Sequence, residues 1–111
     1  MPKRGINWNT IGQQAVAAAE GVLEQKWPEV SRGAELQINN LTHTAEFIAL
    51  HKDEMKPVEY KAVLANQKLA IQNVLLLYED IGIAIAEEAA QAAWNVVEGA
   101  LETAIGVAIK V

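Results

Sequence analysis

The chain has 111 residues, with 9 Lys plus Arg, 14 Asp plus Glu, 2 His and no Cys, for a formal net charge of −5. That length supports one domain with one modest core. The acidic balance argues against a nucleic-acid binder, which needs a basic face for phosphates, and the lack of Cys removes disulfides, thiolate metal sites and thiol chemistry.

Hydrophobic residues make up 51% of the chain but aromatics only 5%. The excess is alanine: 19 residues, nine of them between Ile81 and Val111. Alanine favours helix and adds little core volume. Such a chain is built for close helix–helix approach. No stretch alternates with period two for long enough to suggest a strand, so the expected class is all-α.

The start, Met1-Pro2-Lys3-Arg4, is basic but is not followed by a long apolar run, so no secretory signal is expected and a cytoplasmic or virion-associated location follows. Asn40-Leu41-Thr42 matches a glycosylation triplet and is read as chance. Pro28 and Pro57 punctuate the chain. Each suits the first turn of a helix, and each pushes the residue before it out of the α region. The first helix is expected at about 10–26, capped by Thr10 with Gln13 as its capping-box partner. Its apolar positions, Trp8, Ile11, Ala15, Ala18 and Val22 with Val16, Ala19, Leu23 and Trp27 alongside, form a wide stripe. The second helix is expected at about 29–55. There Val30, Ala34, Ile38, Leu41, Ala45, Ile48 and Met55 mark one face.

From Pro57 onward no further proline occurs. The expected element is a single helix over about 58–110, with a kink at 80–82, reaching roughly 80 Å. Its first half carries a seam of Tyr60, Leu64, Gln67, Ile71, Val74, Tyr78, Ile81 and Ile85, four and three apart, opposed by Glu59, Asn66, Asn73 and Asp80. Its second half shifts to eleven-residue spacing: Ile85, Val96 and Val107; Ala89 and Ala100; Ala93 and Ala104. The fold expected is thus a single all-helical domain, a helical hairpin followed by a long C-terminal helix. An up-down four-helix bundle broken near Gly82 is the alternative.

Chemistry-bearing constellations are sparse. His43 and Glu46, with His51 and Glu54, are spaced three apart on one helix and are the weak metal candidates. Carboxylate–His pairs ligate metals in bundles, but in the order Glu before His. The reading taken is a solvated polar face, with no metal and no cofactor. Ser31 is the lone serine, the glycines are scattered, and no nucleophile has a partner nearby in sequence. No enzymatic role and no small-molecule substrate are therefore expected. Trp8, Trp27 and Trp94 are read as packing anchors, Trp94 as a knob among alanines.

A rod of this length, apolar over most of its girth, must be covered. Two shorter helices cannot cover it, so the leading expectation is a non-enzymatic assembly protein, such as a virion or sheath-like component, forming a helical homo-oligomer. Its interface would comprise Ile85, Ala89, Ala93, Trp94, Val96, Ala100, Ala104 and Val107. Glu87, Gln91, Asn95, Glu98 and Glu102 form a polar stripe facing solvent. In the alternative, a membrane-active pore, that stripe would line a lumen. The carboxylate/His metal bundle is the second alternative.

Overall fold

A computed structural model describes residues 5–109 and 111. The basic start Met1–Arg4 and Lys110, the expected end of the last helix, lie outside the described residues. The chain is all-α. Among the described residues the elements are α1 (Trp8–Leu23), a 3-10 turn (Glu24–Lys26), α2 (Trp27–His51), α3 (Pro57–Leu75) and α4 (Ile83–Ile105).

Capping chemistry sets most of the boundaries. Asn7, in extended backbone, caps α1 by accepting from the Thr10 N–H at 3.2 Å, so α1 begins before Thr10 and not at it. Lys56 is extended, as the residue before proline should be, and its backbone N–H donates to Glu59 Oε1 at 2.8 Å, closing the start of α3. Trp27 breaks that expectation. It precedes Pro28 yet lies in the α region, and α2 starts at Trp27. The chain reaches this position by strain one turn earlier, where Glu24 takes φ 52 and ψ −116. At the far end α4 stops at Gly106, whose φ of 78 suits glycine and whose N–H donates to the Glu102 carbonyl at 2.8 Å.

The expected 55-residue helix does not form. Residues 76–82 reverse the chain, and the molecule measures 44 × 28 × 18 Å, far short of an 80 Å rod. Ile81, buried inside the reversal, anchors it. Gly82 then starts α4 in extended backbone at ψ 167. Gly82 alone could not force a break, since a mid-helix glycine costs only about 1 kcal/mol. The larger effect is burial. A reversal lets α4 cover its alanines with α1, whereas a straight helix would leave them in water.

The result is an up-down-up-down bundle. Gly12 of α1 lies against Asn39 and Thr42 of α2, and Gly33 of α2 lies against Val74 and Tyr78 of α3. Lys68 of α3 reaches Gln91 of α4, and the end of α1 meets Ile85 at the start of α4. α4 packs chiefly on α1, and α2 chiefly on α3. α2 also touches α4 across the diagonal, while α1 and α3 stay apart.

The two halves of the core differ in content. Between α2 and α3 lie Val30, Ile38, Leu41, Ile48, Tyr60, Leu64, Ile71 and Leu75, all buried. The seam read on α3 is this intrachain face, except that Ile85 is exposed. α1 contributes Gly12, Ala15, Ala19 and Leu23. α4 contributes Ala86, Ala89, Ala90, Ala93, Val97 and Ala100, with Trp94, Leu101 and Ile105 as its large residues. Along α4 the buried positions 86, 90, 93, 97 and 100 step four and three. The remaining buried positions 89, 94, 101 and 105 widen that stripe, and 86/97, 89/100, 90/101 and 94/105 also stand eleven apart.

Candidate functional site

Three regions hold the residues singled out by sequence. The first is the expected interface on α4. Ala89, Ala93, Trp94 and Ala100 are buried within the chain's own core. Val96 and Ala104 are partly buried, packed against that core. Only Ile85 and Val107 stand exposed. α1 thus supplies, within the chain, cover for these α4 positions that a rod would have lacked.

The polar stripe on the same helix is a fastening between elements. Lys68 Nζ donates to Gln91 Oε1 at 2.6 Å, and Gln91 Nε2 donates to Asn95 Oδ1 at 2.7 Å, tying α3 to α4. Glu102 Oε2 accepts the backbone N–H of Ile109 at 2.7 Å, which draws the tail back after Gly106 and helps seat Ile109, fully buried, in the core. Glu87 is exposed and Glu98 half-buried, neither in a hydrogen bond among the described residues. No helix among the described residues is long and apolar enough to cross a membrane.

The second region is the outer face of α2 with the two histidines. His51 Nδ1 and Glu54 Oε1 are 2.8 Å apart, and the His51 ring sits over Phe47 at a centroid distance of 4.2 Å. His43 turns instead into a groove of about 500 Å³ between α1 and α2, lined also by Trp8, Gln13, Val16, Glu35 and Asn39. Glu46 is half-buried outside this lining. The four metal candidates are therefore divided between a surface pair and a groove. No group of three or more His, Asp or Glu among the described residues could hold a metal ion. Within the lining, α1 approaches α2 closely at Gly12, where a Cβ would lie 3.3 Å from Asn39 Oδ1. Its lining mixes one indole, amides, one carboxylate, one imidazole and the Thr42 hydroxyl, which donates to the Ile38 carbonyl at 2.9 Å.

The third region was missed at the sequence level. α3 is apolar on two opposite faces. Opposite its core seam, Val58, Ala62, Ala65, Leu69 and Leu76 run along the outside, with Gln72 completing steps of four and three. Val58 is 72% and Leu69 49% exposed. On the outside of α2, Leu36, Phe47 and Leu50 are also open, Leu50 at 74%. The signal for the outer α3 row was present in the same spacing rule, applied one face over. Assigning the helix one seam hid the other. Searches against family models, curated proteins and solved structures find no match for this chain.

Proposed function

We propose that the chain is a non-enzymatic assembly module that pairs with a second copy of itself through the outer face of α3. The observation that carries this reading is the exposed row Val58, Ala62, Ala65, Leu69 and Leu76 at coiled-coil spacing. A helix that is apolar on both sides has cover for one side only within the monomer. Ala62 and Ala65 in the middle of the row allow close approach. Residues flanking the row favour a like helix in parallel. On one edge stand Lys61 and Lys68, on the other Asn66 and Asn73. A parallel pair sets each lysine against an asparagine of the other copy, while an antiparallel pair sets lysine against lysine. Assembly into a larger sheath-like or virion structure is the setting in which such self-pairing acts.

Light scattering on a chromatographically separated sample tests this. The parent chain gives a mass above the monomer that falls on dilution. Leu69→Lys with Val58→Lys lowers that mass at unchanged helicity, because both side chains leave the core untouched. A parent chain that stays monomeric at high concentration overturns the reading.

A further inference from the structure

The joint between α1 and α2 combines three features. It has no loop: α1 ends at Leu23, a single 3-10 turn follows, and α2 begins at Trp27. It is strained: Glu24, a non-glycine residue, sits at φ 52 and ψ −116, a backbone region that glycine favours. And few large side chains lock the helix it holds in place. The fully buried residues of α1 are Gly12, Ala15, Ala19 and Leu23, three of which carry at most one methyl group, while Trp8, Ile11, Val16 and Val22 pack against the core only partly buried.

We infer that α1 is an exchangeable helix, and that two copies of this chain trade their α1 helices, each α1 seating on the α4 of the other. Every helix contact of the closed monomer is remade in the exchanged pair; only the joint changes. Short connections under strain favour such exchange because opening them releases the strain. Pro28 shapes the open joint. It lacks the N–H that would bond the Glu24 carbonyl in a continuous helix, so residues 24–26 extend and α1 does not fuse with α2. The partner surface is the edge of α4 turned away from Gln91 and α3, which carries Ala89, Ala93, Val96 and Ala100. These residues, covered within one chain in the closed form, become contacts between chains in the exchanged form. This inference does not rest on the outer row of α3, and the test separates the two.

The background for the experiment is the full chain carrying Val58→Lys and Leu69→Lys, which removes pairing through α3. Light scattering after refolding at high concentration is expected to show monomer and dimer that interconvert slowly. Glu24→Gly removes the strain from the closed joint of each of the two monomers that a dimer yields, so the dimer's dissociation constant rises roughly thirtyfold if each closed joint stores about 1 kcal/mol. A Gly-Ser-Gly insertion after Gln25 likewise shifts the population to monomer. Deleting residues 24–26 prevents α1 from reaching its own α4 and leaves a dimer of full helicity. A folded monomer from the deletion, or equal dimer fractions in the parent background and the Glu24→Gly variant, overturns the inference. Should the deletion fail to fold, the Glu24→Gly and insertion variants decide the question alone. Pairing through α3 fails independently, if the unmutated chain and the lysine double variant have the same mass.

Discussion

The α2–α3 half and the α1–α4 half of this bundle reach similar intimacy by opposite means. α2 and α3 interlock large aliphatic side chains, among them Ile38, Leu41, Ile48, Leu64, Ile71 and Leu75. α1 and α4 bury alanine more often than any other residue, with Leu23, Trp94, Val97, Leu101 and Ile105 set among the alanines as the larger side chains. Full burial of a Leu or Ile is worth about 1.5–3 kcal/mol, and each buried methyl group of alanine about 0.8 kcal/mol. Proximity and stabilisation are therefore separable. The pair of helices in closest association is the one richer in buried alanine, and α1 is joined to α2 through a strained turn at Glu24.

The comparison can be broken at its strongest point first. Ile71→Ala opens a cavity in the aliphatic half and is expected to cost 2–5 kcal/mol, on the order of other large-to-small core changes, read as a lowered midpoint in urea. A loss well under 1 kcal/mol would mean that this half is not the principal store of stability. The opposite manipulation suits the alanine half. Ala93→Leu adds volume where backbones are close, and should cost about 1–3 kcal/mol. Hydrogen exchange should show it locally, with α1 amides losing protection before those of α2 and α3. Uniform loss across all four helices would erase the distinction drawn between the halves.

Two smaller changes sharpen the picture and carry the opposite sign. Glu24→Gly relieves the backbone at the joint and is expected to stabilise the closed monomer by about 1 kcal/mol, since a side chain at positive φ costs roughly 1–2 kcal/mol. Gln67 stands on the core-facing seam of α3, and its Oε1 is buried without a hydrogen-bond partner. Gln67→Met keeps the length and shape and removes the orphaned acceptor, for a gain of up to about 1 kcal/mol. Thermal melts of both variants check these values. A destabilised Gln67→Met would show that the amide has a role beyond filling the seam.

How much of this was legible beforehand varies by element. The α class followed from alanine content and the absence of alternation. The inner seam of α3 followed from spacing, and Tyr60, Leu64, Ile71 and Ile81 are indeed buried. The helix break was legible only as the alternative, a four-helix bundle broken near Gly82. Nothing in Leu76-Leu77-Tyr78-Glu79-Asp80-Ile81-Gly82 forbids helix, and local propensity favours continuing. The outer row of α3 was legible in principle, since its spacing is as regular as the inner one. It was passed over because one seam already accounted for the helix. The division of His43 from His51 was not legible, because residues eight apart on one helix share a face, and only the position of α1 turns one of them into a groove.

Composition and periodicity by themselves determined that the chain is helical, that prolines mark the starts of two helices, and that its helices pack on small residues. Those are properties of neighbours along the chain, and short-range sterics fix them. Tertiary structure alone decided that the long apolar segment folds back near Gly82, and so which of its faces are hidden. That choice depends on the free energy of covering one helix with another far away in sequence. Burial in this chain outweighs the modest local preference for keeping α3 and α4 straight, and no local rule contains that sum.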